Sequence, residues 1–335
     1  MNKTVQGMRT IAMLAIFAYH AGLLPNGYFP VTFFFMVSGF GIYTAKHGLE
    51  DQQLSWKSNL RWMGQKFRYF YAVHLLLFLV SIPIRWEEMQ LLPHVAGRAV
   101  LQLTLTQSWY PGLSYGFNSL SWYLSALLFV YLAAFWAVRM VRSCRHSGIA
   151  AAAVLAVQLL YNAAHRYSIL PLQFEPYYSP LYRVTELILG MFAAKYLLEG
   201  KKRHTGGTLP EVLVVVLLAV QYRLYCRSGY NLPVVFVPAF FMAICVFGQQ
   251  KGLLSKVLQW QPIQWMARYG FEFYMVHELL IVLLRNVLGM LGISWRMRVI
   301  LFTLGAFAGA LLFSAACQKW LKPRFSKKKA VQAAK

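Results

Sequence analysis

Arg9 and His20 stand with ten residues between them in the first apolar stretch of the chain, a spacing that suits two side chains sharing one task. Eleven helical steps of about 100° return to nearly the same face, and eleven rises of about 1.5 Å set the groups about 16 Å apart along the axis. The pattern predicts a guanidinium at one mouth of a helical bundle and an imidazole well inside it. Imidazole is the side chain best suited to take a proton from a hydroxyl near neutral pH, and a guanidinium holds phosphate bidentately. The pair therefore describes a site for a donor with an anionic handle outside and a reactive end within. Arg9 alone would serve equally as an anchor at the membrane surface, and His20 alone as a satisfied contact between helices. Their shared face is what favours chemistry, with His20 as general base or transient acyl carrier and Arg9 or Ser38 against a developing oxyanion.

The elements that position them follow from composition. Of 335 residues, 59% are hydrophobic and 13% charged, against about 45–50% and about 25% in ordinary soluble domains. A bilayer core of about 30 Å needs about 20 mostly apolar residues per helix. Ten such segments are expected: Arg9–Leu24, Phe29–Ala45, Tyr69–Ile84, Trp122–Val141, Gly148–Ala164, Leu181–Leu198, Leu209–Tyr225, Pro233–Gly248, Gly270–Leu291 and Val299–Leu321. The fold class is thus an all-α polytopic transmembrane bundle. His94–Thr106 is too short to span and carries Arg98, so it is expected to be a re-entrant or interfacial helix.

A formal charge of +23 raises nucleic acid as a partner, but most of the 33 basic residues fall in short loops on one side of this topology. That is the positive-inside pattern, and it excludes nucleic acid in favour of a membrane with both termini cytoplasmic. Residues 1–325 form one membrane domain, and the tail 326–335, with Lys327 to Lys329, contacts anionic headgroups. Cys144, Cys226, Cys245 and Cys317 lack metal or disulfide spacing and are expected to pack, and no metal is called for. In the external loop from Arg85 to Ser121, Trp109, Tyr110, Tyr115 and Phe117 are read as an interfacial belt ahead of a sugar-facing platform.

Ionisable groups within the bilayer cost about 2.5–3.5 kcal/mol each on insertion scales, so each is a candidate for function. Arg183 and Glu186 lie three apart on one face and suit an ion pair. His277 and Glu278 point about 100° apart, one towards a cavity and one into packing, and Tyr274 shares the face of His277. His74 is expected at the interface. Ser38-Gly39, after Phe33-Phe34-Phe35-Met36-Val37, would let a neighbouring helix come close.

Taken in order, these residues resemble the membrane-bound acyltransferase family 3, whose members O-acylate surface sugars, polysaccharides and some small molecules. The likeness begins with Arg9, Ala12 and His20, runs through Gly27, Val31, Phe34-Phe35 and Ser38-Gly39-Phe40, and reaches Arg68. It resumes at Trp122-Tyr123-Leu124-Ser125, then at Arg183, Glu186 and Gly190, and ends with Tyr269-Gly270-Phe271-Glu272-Phe273-Tyr274-Met275-Val276-His277. The resemblance implies that acyl-CoA enters from the cytoplasm, that Arg9 and the basic residues of the loop after the second helix hold it, and that His20 is essential. In that loop the family often carries two arginines three apart and then a proline. Here Gln65 precedes Arg68 and Tyr71 takes the proline's place, so Lys66 and Arg68 become the phosphate-binding pair. Leu127 replaces an acid often found in the fourth helix, leaving Glu186 or Glu278 as substitutes.

The function expected is transfer of an acyl group, acetyl above all, from acyl-CoA to a hydroxyl of a cell-surface or lipid-linked carbohydrate at the plasma membrane. Acetyl-CoA would be the donor, the glycan and membrane lipids the other partners, with a homo-oligomer or an envelope-assembly partner left open. The rival is a transporter or flippase for a polar or lipid-linked substrate, because buried His, Arg and Glu also build substrate paths.

Overall fold

The computed structural model describes residues 2–50, 53–171, 174–200, 206–228 and 233–325, and among them the secondary structure is entirely helical. The expectation placed on the tail 326–335 lies outside the described residues. The chain runs through α1 (Lys3–His20), α2 (Phe29–Lys46) and α3 (Trp56–Ile84), then short α4 (Trp86–Gln90) and α5 (Val95–Leu103). It continues with α6 (Trp122–Ser143), α7 (Ser147–Arg166), α8 (Pro180–Glu199), α9 (Thr208–Ser228) and α10 (Val237–Phe247). Short α11 (Leu253–Leu258) and α12 (Gln261–Ala267) precede α13 (Gly270–Gly289) and α14 (Trp295–Ala316), which passes through a π-helical turn, Cys317–Leu321, into α15 (Lys322–Phe325).

Among the described residues five helical segments are long and apolar enough to cross a membrane: Trp56–Ile84, Ser119–Ser143, Ser147–Arg166, Thr208–Ser228 and Trp295–Phe325. Pro233–Phe247 is a shorter apolar segment. The others of the ten, α1, α2, α8 and α13, are 18 to 20 residues long. Of these, α8 and α13 carry buried ionisable groups, α1 the half-buried Arg9 and His20, and α2 polar and small residues, which dilutes their hydropathy. Length and apolarity by themselves thus establish five spans and not ten.

One boundary and one side-chain placement differ from the sequence expectation. α3 starts at Trp56, where Ser55 accepts a hydrogen bond from the Ser58 amide, so Lys57, Arg61, Lys66 and Arg68 ride on a helix and not in a loop. Phe67 and Tyr69 pack inward and carry the helical pattern back through the basic residues. A helix of 29 residues is about 43 Å long, so its basic end extends past a hydrocarbon layer of about 30 Å. His74, expected at the interface, is buried instead, with Nε2 2.9 Å from the carbonyl of Gln102.

The Ser38-Gly39 step does admit a neighbour. A Cβ on Gly39 would sit 1.9 Å from the Leu187 carbonyl oxygen of α8, and one on Gly190 would sit 1.7 Å from that of Met36 in α2. Backbone meets backbone at both places, so no rotamer change makes room. Replacing Gly190 by alanine is expected to lower stability by about 1–3 kcal/mol or more, the usual range for overpacking. A wild-type unfolding midpoint for the purified variant in detergent would refute that contact.

Candidate active site

Four cavities follow one another through the bundle, and shared wall residues join them. The first, about 750 Å³, opens between the start of α1, the basic end of α3, α12 and the end of the chain's last helix. Its wall carries five cations, Lys3, Arg9, Lys66, Arg268 and Lys322, and one carboxylate, Glu272. Glu272 is buried and accepts from the Tyr69 hydroxyl and from Gln318 Nε2 at 2.7 Å. The π-helical turn helps to aim Gln318 and Lys322 at this mouth, a use of local helix widening common near functional sites.

Arg9 also lines the second cavity, a throat of about 70 Å³, as do Phe70 and Phe271 of the mouth. Ser38, Tyr123, Tyr131 and Tyr274 supply its hydroxyls. Ser38 Oγ donates to the Phe34 carbonyl at 2.9 Å, the local back-bond usual for a helical serine. Val31 and Tyr274 then form part of the third cavity, a chamber of about 400 Å³ that contains His20. Arg9 and His20 therefore face one passage, as their spacing predicts.

His20 has an ionic and aromatic surround. Its ring lies 5.2 Å from that of His277. His277 is buried, with Nδ1 2.9 Å from the Tyr274 carbonyl and 3.2 Å from that of Phe273. That pattern assigns the proton to Nδ1 and leaves Nε2 an acceptor, and Nε2 has no partner in the structure. Glu278 and Arg85 line the same chamber as His20. Arg85 binds Glu278 and also Glu88, the latter at 3.0 Å. The second oxygen of Glu278 is buried and unpaired. Glu278 lines the chamber with His20, whereas Leu127 lines the throat and Glu186 is paired with Arg183.

The fourth cavity, about 500 Å³, shares Tyr28, Tyr115, Tyr177 and Tyr178 with the chamber and adds His165 and Glu175. It lies at the opposite end of the bundle from the mouth, among the loops after α1, α3 and α7. The long loop is built from within. Arg98, buried, donates to the carbonyls of Pro93 (2.8 Å), Gly112 (3.1 Å) and Tyr115 (2.9 Å), and Gln102 Nε2 donates to that of Gly116 at 2.7 Å. Asn118 fastens the loop to α13 through the Met275 carbonyl at 2.9 Å. The loop aromatics do not act as one belt. Phe117 is buried against Phe78 with ring centroids 4.4 Å apart, Trp109 packs on Phe129, and Tyr115 hydrogen-bonds Tyr178 over the cavity, leaving Tyr110 exposed.

Several expected site residues thus come together: Arg9, Ser38 and Tyr274 at the throat, His20, His277 and Glu278 around the chamber, and Lys66 at the mouth. Arg68 does not join them. It is exposed and outside the mouth's lining, because two residues along a helix turn it about 200° from Lys66. Arg268 and Lys322 supply cations that sequence reasoning missed, since in the sequence they count only among the basic residues that set topology. Arg85 and the tyrosines at 28, 177 and 178 were missed for a similar reason: single residues in three separate loops show no spacing. Among the described residues no group of three or more His, Cys, Asp or Glu could hold a metal ion.

A helical membrane protein with a histidine in a passage open at a cationic mouth is the class that fold and site define together. The acyltransferase 3 family model, described as an acyltransferase domain, matches residues 2–316, and the chain belongs to that family. No curated protein and no solved structure matches it.

Proposed function

We propose that the protein is a plasma-membrane O-acyltransferase of ten spans with both termini cytoplasmic. It moves an acetyl group from cytoplasmic acetyl-CoA to a hydroxyl of a cell-surface or lipid-linked carbohydrate. The observation that supports this most is the continuous wall from Arg9 to His20. Phosphates of the donor rest on the mouth cations Arg9, Lys66, Arg268 and Lys322, the thioester arm threads the throat, and its acyl end reaches the chamber. His20 accepts the proton of the acceptor hydroxyl as that oxygen bonds to the thioester carbonyl carbon. The resulting oxyanion is stabilised by donors of the throat, Arg9, Ser38 or the Tyr274 hydroxyl. Collapse breaks the carbon–sulfur bond, and the imidazolium returns the proton to the departing thiolate. His277 and Glu278 hold the His20 ring in place and balance its charge.

The test is release of coenzyme A from acetyl-CoA by the purified chain in lipid nanodiscs, with mass spectrometry of the glycan that gains the acyl group. Movement of a polar substrate with no ester consumed would replace this reading with the transporter. The mouth adds a sharper expectation. Charge-assisted contacts contribute about 1.5–3 kcal/mol, so Lys66→Ala should raise KM for acetyl-CoA by roughly tenfold or more. Arg68→Ala, at the surface, should change it by about twofold at most. Equal losses from the two variants would contradict the assignment of cations.

A further inference from the structure

The two ends of the passage have opposite electrostatic character. Five cations and one carboxylate line the mouth, whereas the chamber and outer cavity together present one guanidinium, Arg85, and two carboxyl groups, Glu175 and Glu278, beside the histidines. Arg85 is already bound by Glu278 and Glu88, so it offers no free charge. In a chain of formal charge +23, a wall of this kind is a local exception. Aromatic rings make up the rest of it: Tyr28 and Tyr177 lie 4.9 Å apart, Trp122 and Tyr177 4.7 Å, Trp122 and Tyr178 4.9 Å. Tyr115, about half exposed, closes the collar through its bond to Tyr178. Rings of this density give flat apolar faces with hydroxyls at the edge, which match the C–H face and the hydroxyl rim of a pyranose.

On the strength of the acyl-transfer reading above, we propose that this tyrosine-collared vestibule is the acceptor site and that it selects a neutral pyranose, turning away a ring that carries carboxylate or phosphate. The ring stacks on the collar with one hydroxyl directed to His20. Glu175 accepts hydrogen bonds from others at the rim. Burial raises the Glu175 carboxyl above its ordinary value, with His165 and Arg183 opposing. As a carboxylate it repels an anionic sugar, and the wall offers no free cation to offset that repulsion.

The test uses the full chain in nanodiscs with two probes at equal concentration, methyl glucoside and methyl glucuronoside, read by saturation-transfer NMR. Methyl glucoside should bind the wild type at least about tenfold better than the uronide, because like charges across a contact are strongly penalised. Tyr115→Ala should weaken the glucoside roughly three- to tenfold, the worth of one aromatic partner, and Glu175→Gln should narrow the discrimination. Unchanged binding of acetyl-CoA to the same samples shows that each variant is folded. Equal or better binding of the uronide, no glucoside signal in the wild type, or discrimination unmoved in Glu175→Gln overturns the proposal. Glucoside binding as described with no acetyl transfer to any sugar would instead sink the enzymatic reading and leave the vestibule's selectivity standing.

Discussion

His20→Ala is expected to lower acetyl transfer by about 10²- to 10⁴-fold, the usual worth of a positioned general base, while acetyl-CoA still binds. The split between rate and donor binding follows from the geometry. His20 lies in the chamber, whereas the cations proposed to hold the donor's phosphates lie at the mouth, with the throat between them. His20→Gln, which keeps a polar side chain of similar reach but takes no proton, should lose nearly as much. Rates of ester consumption and of glycan acylation measured on protein that elutes as a single folded peak decide the matter. Retention of even a tenth of the wild-type rate in His20→Ala would show that the proton goes elsewhere, with His277 or Glu278 next in line.

The second large effect concerns stability. Arg183 and Glu186 are fully buried, and Arg183 Nη1 donates to both carboxylate oxygens at 2.7 and 2.8 Å. Its Nε and Nη2 donate to the Tyr177 carbonyl at 3.1 and 2.6 Å. The rings of Phe35, Trp122, Tyr177 and Tyr182 surround the guanidinium at 5.2 to 5.8 Å. Arg183→Ala removes one charge, leaves Glu186 buried without its partner, and frees the segment that holds Tyr177 and Tyr178. A loss of about 3–5 kcal/mol is expected, the range for breaking a buried pair from one side. Replacing both together, as Arg183→Met with Glu186→Leu, should cost much less, because no charge is left unpaired. Arg183→Lys should fall between, since an ammonium cannot reproduce the planar fork. Thermal unfolding in detergent gives all three values. A double variant no better than Arg183→Ala would mean that packing, and not charge, sets the penalty. Because the same arginine braces Tyr177 beside Trp122, the single variant should also weaken sugar binding at the proposed acceptor site.

These effects were unequally visible beforehand. The pairing of Arg183 with Glu186 follows from a spacing of three on one helix, and the common passage of Arg9 and His20 from a spacing of eleven. Gly39 was readable as a point of close approach, although its partner, the Leu187 carbonyl of α8, depends on which helix arrives there. The family resemblance put Arg68 beside Lys66 as a phosphate-binding pair, and basic residues 57 to 68 look like a loop when apolarity alone is scored. The helix that carries them turns Lys66 in and Arg68 out. The aromatics between Trp109 and Phe117 share one segment yet divide among core, cavity and surface, since the fold of that loop is set by Arg98 and Gln102 reaching distant carbonyls.

What the sequence determined by itself is everything that one helix can carry: apolar length, the side a residue faces, and pairs three, four or eleven apart, because these obey a local period. What tertiary structure decided is everything made of single residues from several segments. The Arg85 to Glu278 bond, the cations at 268 and 322 and the collar of tyrosines at 28, 115, 177 and 178 all arise where chain ends and loops meet. Their sequence separations are set by the lengths of the intervening helices, and no local rule encodes those distances.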